Sequence, residues 1–217
     1  MQKKQGWYLP EQLILKITLI GSEPKIWRRV EVHSGLTLHE LHMVIQCVFD
    51  WDDSHLFQFL APADGKLTQK AMQEAKRFLL QPPDPFFQLE KQDHPADKAL
   101  VGQVLNKDQK QIVYEYDFGD SWEHLVKVEK RQAGGDQNHI PLCLAGENAA
   151  PIDDMGGIYG FYHWLKALRD PNSDMHEEAA GWLGEDFKSE HFDLAEANRR
   201  LKKVFKPAKK KPRKKKQ

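Results

Sequence analysis

Three short segments of the chain hold the side chains best suited to chemistry: Asp52, Asp53 and His55; Asp117, Asp120 and His124; and Asp153 with Asp154. Brought together, such carboxylates and imidazoles hold a divalent metal ion or work as an acid–base pair. Their spacing does not require it, because Asp52 and Asp53 equally suit a helix end, Asp120 a tight turn and either histidine a single satisfied hydrogen bond. The sequence therefore predicts no catalytic residue, no metal and no cofactor. It predicts a candidate groove between the 51–56 loop and the 117–124 hairpin, lined by Trp51, Asp53, His55, Asp117, Asp120, Trp122, His124 and Asp154.

Other motifs are weaker. Asp117-Phe118-Gly119 matches the magnesium-binding triplet of kinases by letter only, with no glycine-rich loop and lysine to accompany it. Gly156-Gly157-Ile158-Tyr159-Gly160 lacks the Lys-Ser/Thr ending of a phosphate-binding loop and reads as a tight turn at a helix start. Ser54 and Ser121 have histidines nearby but no nucleophile-elbow sequence, and read as turn residues. Cys47 lies beside the apolar face of a helix and reads as a small hydrophobe, whereas Cys143, between two leucines, is ambiguous. Of the six tryptophans, most read as core, with one or two left to line a groove.

The elements that must position these residues follow from periodicity. Residues 13–20 and 26–32 alternate as two strands around a Gly21-Ser22-Glu23-Pro24 turn. Thr37 and Glu40 form a capping-box pattern ahead of Leu38, Leu41, Ile45, Val48 and Phe49, which repeat on one helical face. A strand over 56–61 and an Asp64-Gly65 turn come next, then a helix over 68–80 stopped by Pro82-Pro83, inside an elaborated connection spanning 62–111. Residues 112–118 and 122–130 form a hairpin around Gly119-Asp120-Ser121, with Trp122, His124, Val126 and Val128 on one face. Beyond a Gly134-Gly135 loop the chain turns helical: over 159–168, from Asp174 to Gly184, and from Asp193 with Leu194, Ala197, Leu201 and Val204 aligned. Strands first and helices last give an α+β class, an antiparallel sheet of hairpins with a helix packed after the first of them.

Charge divides the chain in two. Its 32 basic and 32 acidic residues balance, but ten Lys/Arg and no acid lie from 202 onward, leaving 22 against 32 before that point. A body near −10 is a poor general phosphate-binding surface, because duplex binding rests on neutralising backbone charge. The expected organisation is one domain over 8–201 and a disordered basic tail over 202–217. Lys202, Lys203, Lys206, Lys209, Lys210, Lys211, Arg213, Lys214, Lys215 and Lys216 give that tail the capacity to hold nucleic acid nonspecifically, or to fold back on the acidic body. Two cysteines, a start without the apolar core of a signal peptide and no apolar run long enough to span a bilayer give a cytoplasmic expectation with no membrane insertion.

Several stretches together resemble one family. They are Pro24-Lys25-Ile26-Trp27-Arg28-Arg29-Val30; Leu38-His39-Glu40-Leu41-His42 through Trp51; Asp53-Ser54-His55-Leu56; residues 114–124; and Gly156-Gly157 through Trp182-Leu183-Gly184. Their content and order resemble the plasmid pRiA4b ORF-3-like proteins, which implies one α+β domain over most of residues 8–205 and no established activity. The family pattern often places two cysteines where Ala150 and Met155 stand here, so the resemblance does not bring a cysteine-based zinc site with it. The expected function is a non-enzymatic binding module for a protein or small ligand. The alternative is a metal-dependent enzyme using the Asp/His cluster, acting on nucleic acid retained by the tail.

Overall fold

A computed structural model describes residues 10–63, 65–80, 90–134 and 139–206. The first hairpin forms as the alternation predicts, from β1 (Glu11–Leu19) and β2 (Trp27–His33). Side chains of a strand alternate between faces, so Leu13, Leu15, Ile17 and Leu19 enter the core from β1, and Arg28, Val30 and Val32 from β2. Helix α1 (Leu38–Phe49) begins with the predicted capping box: Glu40 N–H donates to Thr37 Oγ1 at 3.1 Å and Thr37 N–H to Glu40 Oε2 at 2.7 Å. It ends at Asp50, whose left-handed backbone (φ 65°) turns the chain out of the helix.

The remaining elements are β3 (Phe57–Ala61), α2 (Gln69–Gln73), β4 (Lys76–Leu79), β5 (Asp93–Pro95), α3 (Val101–Val104), β6 (Gln111–Tyr116), β7 (Trp122–Ala133), β8 (Leu142–Glu147), α4 (Gly157–Arg169), α5 (His176–Leu183) and α6 (Leu194–Val204). Among the described residues the strands form one eight-stranded sheet in the order β5-β4-β3-β6-β7-β1-β2-β8, antiparallel except for the β4–β5 pair. The buried residues of strands and helices make one continuous core.

Three expectations are corrected. The helix over 68–80 is only the short α2, capped by Thr68; from Lys76 the chain is strand β4. There Phe78 pairs with Phe59 of β3 and is buried, and the Arg77 guanidinium meets the Asp93 carboxylate of β5 at 2.6 Å, so long-range pairing overrides local helical preference. Strand β8 falls where only loop and helix were expected. It is an edge strand, and Asn198 of α6 clasps it, accepting from Cys143 N–H and donating to Cys143 C=O, both at 2.9 Å, as a neighbouring strand would.

The third correction concerns the tail boundary. Helix α6 runs to Val204, so Lys202 and Lys203 lie in its last turn, where positive charge suits the negative end of the helix dipole. Lys206 is the last described residue. The rest of the expected tail, 207–217, lies outside the described residues, as do Trp7, Asp64, Pro82, Pro83 and Gly135. No helix among the described residues is long and apolar enough to cross a membrane.

Candidate functional site

The pairing registers bring the candidate segments to one end of the sheet. Phe57 at the start of β3 faces Tyr116 at the end of β6, Tyr116 faces Trp122 at the start of β7, and His124 faces Leu19 at the end of β1. Trp27 at the start of β2 faces Glu147 at the end of β8. The 50–56 loop, the β6–β7 turn and the 148–156 loop therefore emerge together. Hydrogen bonds lock them: Asp117 N–H donates to Leu56 C=O at 2.9 Å, and Gly156 N–H donates to the Asp120 side-chain Oδ2 at 3.0 Å. Gly157 sits so close to the turn that a Cβ on it would lie 2.4 Å from Asp120 C=O.

At this junction His55 lies between two carboxylates. Its Nδ1 is 3.9 Å from Asp117 Oδ1 and its Nε2 is 3.3 Å from Asp154 Oδ1, the latter without hydrogen-bond alignment. One ligand atom from each of His55, Asp117 and Asp154 fits within 4.8 Å, the spread a metal ion needs. Asp53, Asp117 and Asp154 all have positive φ (62°, 56° and 59°), a conformation that aspartate tolerates better than most residues and that aims these side chains. Asp117 is also tied inward, accepting from Gly119 N–H at 2.9 Å.

Tyr116 joins the loops from below. Its hydroxyl accepts from Ser54 N–H at 3.1 Å and donates to Asp153 Oδ2 at 3.3 Å. Asp153 Oδ1 is buried without a partner, and burial together with the neighbouring Asp52 pushes the Asp153 carboxyl up to about 6. Asp120 serves the Gly156 turn and Asp53 a different partner, so the eight groove residues do not form one site.

Trp122 and His124 are corrected outright: both are buried in the core, the face they share with Val126 being the inward one. The His124 ring donates from Nδ1 to Trp122 C=O at 3.0 Å, and burial pulls its basicity down to about 3, so it is neutral. Both cysteines are buried, and burial pushes each thiol up to about 11. That agrees with the reading of Cys47 as a small hydrophobe, resolves Cys143 the same way, and leaves neither as a nucleophile.

Several functional candidates escaped the sequence reading. His42, fully buried on α1, donates from Nε2 to Asp53 Oδ1 at 2.7 Å and accepts at Nδ1 from the Tyr114 hydroxyl at 2.8 Å, which in turn accepts from Gln46 Nε2 at 3.1 Å. Burial outweighs the Asp53 contact and holds His42 down at about 4. The available signal was polar residues at i and i+4 inside α1's apolar stripe. Arg28 likewise occupies an inward position of β2, donating to the Val48, Trp27 and Glu147 carbonyls at 2.9 Å. Its guanidinium stacks on Phe192 at 3.9 Å.

Beside the acidic cluster opens a cleft of about 480 Å³ between α1's end, the 149–153 loop and the 187–200 segment. Phe49, Trp51, Ala150, Pro151, Phe187 and Phe192 supply apolar walls; Asp50, Asp52, Asp153, Asp193, Glu196, Arg28 and Arg200 supply charge, and His191 an imidazole. Of the residues expected to line a groove only Trp51 does so, its Nε1 donating to Pro151 C=O at 2.9 Å. The β6–β7 hairpin borders the acidic cluster, not the cleft.

These features define an α+β protein built on one mixed sheet, with an acidic, histidine-bearing loop cluster and a cleft at one end. The chain belongs to the plasmid pRiA4b ORF-3-like family, whose model matches residues 11–196. It is similar to "Uncharacterized protein y4hQ" of Sinorhizobium fredii (strain NBRC 101917 / NGR234), 35% identical over 188 residues, covering 85% of this chain and 84% of the relative. The fold is similar to the crystal structure of a protein of unknown function, MM3350 from Methanosarcina mazei Go1. Its TM-score is 0.72 at 30% identity, covering 86% of this chain and 97% of that one.

Proposed function

We propose that the protein is a ligand-binding module whose site is the cleft beside the acidic cluster. The observation that carries this reading is the make-up of the cleft: aromatic walls from Phe49, Trp51, Phe187 and Phe192 under a charged rim, in a volume of about 480 Å³. Apolar walls with a few placed polar groups, at a few hundred Å³, are the usual character of small-ligand sites. Ala150 lines the cleft between these walls, so Ala150→Trp fills it from within. Saturation-transfer NMR with aromatic amine fragments is expected to give signals with the wild type and none with Ala150→Trp, at unchanged circular dichroism. Equal signals from both proteins, or none from either, would sink the reading.

A second reading is favoured by the convergence of His55, Asp117 and Asp154. Two carboxylates and an imidazole suit a divalent cation such as Mn²⁺ or Zn²⁺ and leave coordination positions open for water or substrate, as metal-dependent hydrolysis requires. Asp154→Asn keeps the left-handed backbone while removing one anionic ligand. Titration calorimetry with Mn²⁺ and with Zn²⁺ is expected to show binding that weakens about tenfold or more in that variant. Heat changes identical in the two proteins would remove the metal reading and leave the cleft untouched.

A further inference from the structure

The cleft's rim is unbalanced in charge. Asp50, Asp52, Asp153, Asp193 and Glu196 face two cations, Arg28 and Arg200. Arg28 is 2% exposed and committed to backbone carbonyls, while Arg200 Nη1 is shared between Asp50 at 3.0 Å and Glu196 at 3.3 Å. Asp52 and Asp193 are exposed and, among the described residues, form no salt bridge; each spends a carboxylate oxygen on one backbone N–H, of Ser54 and Glu196. The occupant that this rim favours is cationic, with an apolar portion for the walls.

Such a segment belongs to the chain itself. Residues 207–217 carry Lys209, Lys210, Lys211, Arg213, Lys214, Lys215 and Lys216 and no acid. They start where α6 ends, and α6 runs back toward the cleft, supplying Glu196 and Arg200 to it, with the cap residue Asp193 beyond. From Lys206 back to Asp193 is 13 residues of mostly helical chain, a span of about 20 Å at the α-helical rise. Six extended residues cover that distance at roughly 3.3 Å each. The six residues 207–212 are therefore long enough to bridge it, which puts 213–216 within reach of the acidic rim.

We infer that the lysine-rich segment 207–217 docks on the acidic rim of the cleft in its own domain and competes there with any cationic ligand. This inference rests on the cleft being a ligand site. The contact is electrostatic, exposed and short, so it weakens as salt screens it, and it is released when a stronger polyanion takes the segment. Nucleic acid is then a competitor for the segment, not a partner of the domain.

Both native cysteines are buried, so a spin label on Lys214→Cys reports from the segment alone. In the full chain at low salt, amide signals of residues 50–53, 149–153 and 193–196 are expected to lose most of their intensity through paramagnetic broadening. The loss should disappear in high salt and in the Asp52→Asn, Asp193→Asn double variant. Asn keeps the cap of α6, so that variant tests charge rather than folding. Broadening spread over other faces, absent altogether, or unchanged in the double variant overturns the inference. Failure of the cleft itself is read separately, because a chain ending at Lys206 keeps every described element and still binds fragments if the cleft is a site.

Discussion

Gly157→Ala is expected to cost about 3 kcal/mol or more of folding stability and to pull the 148–156 loop off the β6–β7 turn. Two independent penalties add at this position. Gly157 has φ 68°, which an L side chain rarely adopts, and a Cβ there would lie 2.4 Å from Asp120 C=O. Backbone occupies both sides of that contact, so no side-chain rotation relieves it. Relief requires the start of α4 to withdraw, which breaks the Gly156 N–H to Asp120 Oδ2 bond and carries Asp153 and Asp154 away from Tyr116 and His55. Gly181→Ala in α5 is the control: nothing lies within 4 Å of its Cβ position, and alanine gains up to about 1 kcal/mol of helix propensity. Urea unfolding followed by circular dichroism compares the two, and a Gly157→Ala midpoint equal to wild type contradicts the tight dock.

The second large effect is acid lability. His42 and His124 are fully buried, with burial holding them at about 4 and about 3. Their folded values lie below the ordinary 6.5, so the unfolded chain binds more protons between those limits. Their contribution is complete above about 6.5 and is lost as pH falls from there toward 4 and 3. Each unit of such a gap is worth about 1.4 kcal/mol per group, so the loss by pH 4.5 is on the order of a few kcal/mol. Asp153 acts in the opposite direction: raised to about 6, it favours the folded state as pH falls through 6, and as one half-buried group against two fully buried ones it offsets only part of the loss. Urea midpoints are expected to fall steadily from pH 7 to 4.5. His124→Gln should flatten that slope; a wild-type midpoint constant over the range would show that these rings are not held neutral.

What could be read from the sequence was what local chemistry settles. Thr37 and Glu40 announced α1, the Gly119-Asp120-Ser121 turn announced the β6–β7 hairpin, and Asp193 with Glu196 announced α6, because caps and turns act over three or four residues. Strand β4 was unreadable because its partners β3 and β5 lie in other parts of the chain, and β8 because an edge strand covered by α6 carries little alternation. The shared face of Trp122, His124 and Val126 was visible, but which side of the sheet it took depends on where the helices pack. So too with the site: His55, Asp117 and Asp154 span 99 positions, and their meeting is a consequence of strand register. The cleft was displaced from its expected border for the same reason, since its far wall is built by Phe187 and Phe192, which no motif marks.

We propose above that this protein takes its ligand in the cleft beside the acidic cluster. An amide chemical-shift map of ¹⁵N-labelled protein titrated with the tightest aromatic amine fragment tests it most directly. Saturable shifts are expected to concentrate at residues 50–52, 149–153 and 187–196. Saturable shifts confined to another part of the surface would contradict it.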